Sequence, residues 1–101
     1  MIFEANGIRC SLRIYNDRIV LVKVHSNTGA TEKSIPIKDI TSIQFKPGTW
    51  LTKGFMHFGY AGAKEFTGGV RGAIENENAV IFHKDANVEF NKILDLLEAR
   101  R

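Results

Sequence analysis

Residues 79–101 read AVIFHKDANVEFNKILDLLEARR, and the architecture turns on the change of period inside them. Ala79 to His83 is a short apolar, β-branched run of strand character. From Asp85 onward Ala86, Phe90, Ile93, Leu94 and Leu97 recur at helical spacing, with Glu89, Lys92, Asp95 and Glu98 on the other side. The spacing predicts a helix over about 86–100, with Asp85 or Asn87 as its N-cap and Arg100 and Arg101 at the end where the macrodipole favours cations. A helix of this length is marginal alone, so its apolar face must dock on something.

What it docks on lies upstream. Ile8, Cys10, Leu12 and Ile14 alternate with Arg9, Ser11 and Arg13, the pattern of a half-buried strand. Asn16-Asp17 then separates this run from Arg18 to Val24, which reads as a tight hairpin. Asn6-Gly7 is the strongest short hairpin signal in the chain, and a turn there places Glu4 opposite Arg9 and Phe3 opposite Cys10. His25 to Lys33 reads as a polar loop. Ser34 to Lys38 reads as a short strand with Pro36 at a sheet edge. Ile40 to Lys46 is a strand with Thr41, Ile43 and Phe45 on one face, ended by Pro47-Gly48. Phe55 to Ala61 is strand-like, Phe66 to Ala73 a weak bulged strand, and Glu75 to Asn78 a turn. The fold expected is mainly β, about seven antiparallel strands within residues 2–84, with one C-terminal helix.

With 101 residues there is room for one domain, 1–101. The 44% hydrophobic and 25% charged content is that of an ordinary globular chain and excludes wholesale disorder. No apolar run is long enough for a transmembrane helix, and Met1 to Glu4 lacks the start of a signal peptide, so a cytoplasmic location is expected. One cysteine forbids an internal disulfide and a Cys-rich zinc site. The net charge of +3 is spread along the chain, without the dense basic arm of a DNA binder or a polybasic anchor.

The order of seven short strands and a final amphipathic helix resembles the pleckstrin-homology-like fold, a β-sandwich or partly open barrel closed at one end by the helix. It is closer still to a bacterial family of that fold of unknown function. The resemblance is carried by Ile35-Pro36-Ile37 to Ile40, Thr41 to Pro47, Leu51 to Phe55 with Phe58, Asn76 to Phe82, and Phe90, across roughly residues 5 to 97. It implies a binding module rather than an enzyme. A further helical segment often follows in that family and has no counterpart after Arg101, so the resemblance implies a minimal domain. The Lys- and Arg-rich loop with which some eukaryotic members hold phosphoinositides has no match at Tyr15 to Arg18.

Chemistry is sparse in the sequence. His25, His57 and His83 show no metal-ligand spacing, Cys10 sits on an apolar strand face, and Gly68 to Gly72 lacks the Lys-Ser/Thr of a phosphate loop. Glu75 and Glu77 read as solvated turn residues. No catalytic residue, metal or cofactor is expected.

Two binding features stand out. Gly48-Thr49-Trp50-Leu51-Thr52-Lys53-Gly54 is a loop carrying the only tryptophan. Trp50, Leu51 and Lys53 either anchor a partner or fold back over one end of the barrel. The other feature is a matter of parity. A two- or four-residue loop at Asn16-Asp17 puts Val20, Val22 and Val24 on the outer face beside Arg9 and Arg13, an apolar stripe that needs cover. A three-residue loop buries the valines in the core instead. The function expected is a non-catalytic protein–protein binding module, with self-association as one form of it. The alternatives are a module for acidic membrane surfaces, with Trp50 and Leu51 inserted and Lys46 and Lys53 on phosphates, and a single-stranded nucleic-acid or nucleotide binder stacking bases on Phe58 and Tyr60. No specific nucleic acid is expected.

Overall fold

The Asn16-Asp17 turn sets the frame. In the computed structural model, which describes residues 1–25, 29–60 and 77–101, the Tyr15 N–H donates to the Arg18 carbonyl at 2.8 Å. The loop therefore has two residues. Strand β2 (Cys10–Ile14) pairs with β3 (Arg18–His25) so that Ile14 faces Ile19 and Leu12 faces Leu21. With β1 (Phe3–Asn6) and β4 (Gly29–Pro36) they form one antiparallel sheet in the order β1-β2-β3-β4. The second sheet holds β5 (Ile40–Lys46), β6 (Gly54–Tyr60) and β7 (Ala79–Phe82), followed by helix α1 (Asn87–Glu98). The described residues thus give seven antiparallel strands in two sheets with one C-terminal helix, the order expected of a pleckstrin-homology-like sandwich. No described helix is long and apolar enough to cross a membrane.

The core lies between the sheets and under the helix. Leu12, Ile14, Ile19 and Leu21 meet Met56, Phe58, Val80 and Phe82, and Phe90, Ile93 and Leu97 close one end. The rings of Phe82 and Phe90 stack at 4.1 Å between centroids. A second, smaller apolar cluster (Phe55, Ala79, Ile81) occupies the other face of the second sheet, with Ile8 packed against it.

That second cluster corrects the expected Asn6-Gly7 turn. Asn6 pairs with Ser11, and the Gly7 N–H donates to the Cys10 carbonyl at 2.8 Å, so Glu4 faces Arg13 and Phe3 faces Ile14. The turn is drawn out because Ile8 leaves the strand to reach β7. Its N–H donates to the Ile81 carbonyl at 2.8 Å. Gly7 passes so close to the same carbonyl oxygen that a Cβ there would clash with it. Arg9 takes the positive φ, +54°, that the turn requires. The displacement is an even number of residues, so no side chain changes face.

Two other boundaries differ from expectation. The segment read as a loop up to Lys33 is mostly strand: Val22 pairs with Glu32, Lys23 with Thr31, Val24 with Ala30 and His25 with Gly29. β4 is an edge strand whose residues are largely exposed, so its polar residues leave no alternation to read. Pro36 does sit on an edge strand, but the strand stops there: Ile37 and Lys38, expected within it, lie in a 3-10 turn, Ile37–Asp39. At the helix start neither Asp85 nor Asn87 is the cap. A 3-10 turn, Lys84–Ala86, leads into α1, and Ala86 occupies the cap position without a side-chain bond. At the other end the Arg100 guanidinium donates to the Leu96 carbonyl at 2.9 Å, as the dipole favours. The strand expected over Phe66 to Ala73 and the glycine-rich stretch Gly68 to Gly72 lie outside the described residues.

Candidate binding surfaces

Gly48 to Gly54 connects β5 to β6, and hydrogen bonds hold it at both base and tip. At the base Gly48 is buried against the Lys84 backbone, where an added Cβ would sit 2.8 Å from the Lys84 nitrogen. Asn87 grips it twice: the Gly48 N–H donates to Asn87 Oδ1 at 2.7 Å, and Asn87 Nδ2 donates to the Gly48 carbonyl at 2.8 Å. This occupies the side chain that would otherwise cap the helix. At the tip the Thr49 N–H donates to the Thr52 carbonyl at 2.7 Å. Thr49 Oγ1 accepts from the N–H groups of Leu51 and Thr52 at 3.2 and 3.0 Å. Lys46 Nζ donates to Thr52 Oγ1 at 3.3 Å. Trp50 and Leu51 ride on this turn 80% and 74% exposed. Trp50 does not fold back over the sandwich. Lys53, also exposed, follows in the same loop.

The valines occupy the outer face of the first sheet, as a two-residue loop requires. Val20 faces Arg13 and Val22 faces Ser11 across the β2–β3 pair. The Val24 N–H donates to the Arg9 carbonyl at 2.9 Å. Their exposure is uneven: Val20 is 9% exposed, Val22 half-buried and Val24 52% exposed. Val20 lies in neither apolar cluster of the described residues. Arg13 Nε bonds Glu4 Oε2 on β1 at 2.6 Å, and Nη1 lies 3.6 Å from Glu32 Oε1 on β4. These ion pairs tie Arg13, the cross-strand partner of Val20, to both outer strands of the sheet. Arg9 is exposed on the turn.

The inner face of β3 holds residues that the sequence argument passed over. Ile19 and Leu21 are core, and the next residue of that parity is Lys23, paired with Cys10 and Thr31. The alternation that placed the valines outside also places Lys23 inside, and following it one step further would have found this residue. Lys23 is half-buried, and burial pulls its pKa below the ordinary lysine value. Beside it Cys10 is buried, its thiol donating to the Ile81 carbonyl at 3.3 Å, and burial pushes its pKa up. A thiol so placed is a packing group rather than a nucleophile. Lys33 Nζ donates to Tyr60 Oη at 2.7 Å and to Glu77 Oε1 at 2.8 Å. Glu77 is therefore ion-paired rather than simply solvated, and the Lys33 ammonium lowers its pKa.

The three histidines stay apart in kind. His25 ends β3 within 3.1 Å of the Thr31 hydroxyl, His57 is buried in β6 with its pKa lowered by burial, and His83 is exposed. Among the described residues no three His, Cys, Asp or Glu side chains come together to hold a metal. Phe58 is fully buried and faces the core, so the base-stacking platform expected of it and Tyr60 does not form. No family model, curated protein or solved structure matches the chain.

Proposed function

We propose that this chain is a non-catalytic binding module of the pleckstrin-homology-like kind that docks a protein partner through Trp50 and Leu51, with Lys53 at the margin. One observation carries this reading: a tryptophan and a leucine stand almost fully exposed on a turn whose backbone is already fixed by Thr49, Thr52 and Asn87. Tryptophan is enriched among residues that dominate binding energy. A loop ordered before contact loses little further entropy on binding. The half-exposed Val24 edge of the outer face, with Arg9 beside it, is a second contact surface and the one suited to self-association.

The test is capture of partners from the native cell extract by the wild type and by Trp50→Ala/Leu51→Ser. The variant should retain the far-ultraviolet dichroism of the wild type and lose the captured protein. Equal capture by both removes the tip from the binding surface.

A second reading has its own support. Lys46 and Lys53 flank the apolar pair in the arrangement of a loop that inserts into an acidic membrane surface. Co-sedimentation with phosphatidylserine vesicles separates the two. Membrane binding would collapse between low and moderate salt, whereas an apolar protein contact would persist.

A further inference from the structure

Among the described residues the two sheets have β1, β4, β5 and β7 at their edges, and three of these are blunted. Helix α1 packs against β1, with the Lys92 ammonium 4.7 Å from the centre of the Phe3 ring. β5 carries a register shift between Ile40 and Ser42, an irregularity of the kind that discourages further pairing. On β7 the Ile81 carbonyl already accepts from the Ile8 N–H at 2.8 Å and from the Cys10 thiol at 3.3 Å. β4 differs from all three. Its 8 residues run in unbroken register along β3, and no described strand pairs with its other side.

The groups this edge offers follow from the alternation of an antiparallel ladder. Arg18 and Val24 turn their backbones to the β2 side, where the Arg18 carbonyl accepts from Tyr15 and the Val24 N–H donates to Arg9. Ile19, Leu21, Lys23 and His25 therefore turn theirs to β4, and their partners Ile35, Lys33, Thr31 and Gly29 are engaged there. The Ile37 N–H, in the same phase, donates to the Asp17 carbonyl at the head of β3. Ala30, Glu32 and Ser34 are left with their N–H and C=O groups facing outward, and all three residues are exposed. Pro36, next in that phase, has no N–H to offer and closes the row. Donors and acceptors at this two-residue spacing match another extended chain.

We propose that β4 takes up an extended segment of a different protein as an added strand, with Lys or Arg opposite Glu32. A second copy of this chain fits the edge poorly. A two-fold antiparallel pair centred on the middle of β4 sets Glu32 against Glu32 or Lys33 against Lys33, and like charges directly opposite are unfavourable. The exposed Glu32 carboxylate, with Arg13 no nearer than 3.6 Å, favours a cation on the incoming strand instead. Beside the same edge a cavity of about 450 Å³, bordered by Leu21, Thr31, Lys33 and Glu77, has room for an alternate side chain of that strand. Main-chain bonds would then hold the segment, and Glu32 and the cavity would select it. The surface is separate from the Trp50 tip and does not depend on the function proposed for it.

Phage-displayed random dodecapeptides selected on the full chain supply the probe, and isothermal titration of the tightest peptide measures it. The recovered sequences should alternate β-branched residues with others and share one Lys or Arg. N-methylation along the peptide should weaken binding about tenfold at every second amide and by less than about twofold at the amides between. Ser34→Pro removes an outward N–H that no bond to β3 uses, so the variant should keep the wild-type dichroism and bind the peptide about tenfold more weakly. Glu32→Lys should cost about fivefold, recovered when the cation of the peptide is changed to Glu. Trp50→Ala should change none of these values. Recovery of no peptide, an N-methyl scan without alternation, or binding lost in Trp50→Ala and kept in Ser34→Pro each overturns the proposal. A wild-type dimer that Ser34→Pro dissociates also overturns it, by giving the edge to a second copy. The N-methyl scan uses the wild type alone, so the outcome does not hang on whether the Ser34 variant folds.

Discussion

The outer face of β3 and the tip of the β5–β6 loop both present apolar side chains away from the core, and they meet solvent in opposite ways. On the strand, Val20 is 9% exposed opposite Arg13, which is itself held from two sides by Glu4 and Glu32. Exposure returns only toward Val24. At the tip, hydrogen bonds from Thr49 and Asn87 are spent on holding the loop's shape, and nothing of the chain described here is laid over Trp50 or Leu51. Apolar composition on a surface therefore does not by itself mark a contact site. A long charged side chain with partners on neighbouring strands can finish the surface internally. A braced loop with no such neighbour leaves the surface open.

The interior sets the scale for both. Phe90 is fully buried and stacked on Phe82 at 4.1 Å, so Phe90→Ala should lower stability by about 3–5 kcal/mol in urea unfolding. A loss below about 1 kcal/mol would mean that the helix is peripheral, contrary to its place over the core.

Val22→Glu probes the strand face. The new carboxylate would sit opposite Glu32, an unfavourable like-charge pair, but with Arg13 in reach and solvent on one side. The expected cost is about 1 kcal/mol, a fall of roughly 4–8 °C in melting temperature for a chain this small. A core position would lose several kcal/mol, because the charge would be buried unpaired. Light scattering on the same variant reads self-association. A folded variant with reduced mass assigns that role to the valine face, and unchanged mass removes it from that face. Failure to fold would mean that Val22 is packed as a core residue.

How much of this could be read from the sequence depends on whether the deciding force is local. Asn16-Asp17 behaves as its residues dictate because nothing distant competes with the two-residue turn. Asn6-Gly7 carries the stronger turn signal and yields, because burying Ile8 against Phe55, Ala79 and Ile81, and bonding it to Ile81, outweighs a tight turn and even forces Arg9 to positive φ. That partner is more than seventy positions away in the chain, beyond the reach of any local pattern. β4 is not legible for a different reason: an edge strand of polar residues satisfies its backbone without burying an alternating face. At the candidate sites, the composition of the Trp50 loop was visible, but its brace was not. Asn87 looks like a cap in sequence, and only the fold reveals that it holds Gly48 instead. The helix period from Phe90 to Leu97 is legible because its buried face, Phe90, Ile93 and Leu97, is continuous.

The smallest stability effect belongs to the tip. Trp50 is 80% exposed, so Trp50→Ala removes little packed surface and should shift stability by no more than about 0.5 kcal/mol, while partner binding falls by at least about 2 kcal/mol, roughly thirtyfold. Thr49→Ala separates contact from bracing. It leaves Trp50 and Leu51 in place but removes the acceptor for two backbone N–H groups, at 3.2 and 3.0 Å. If the fixed shape of the turn contributes, that variant should bind several-fold more weakly through a slower association or a larger entropic cost, although no contacting side chain has changed. Calorimetry of the purified partner with the three proteins distinguishes these outcomes. Full affinity in Thr49→Ala with loss in Trp50→Ala would leave the tip as an anchor whose order is irrelevant. Full affinity in both would shift the contact surface to Val24 and Arg9, the exposed end of the strand face.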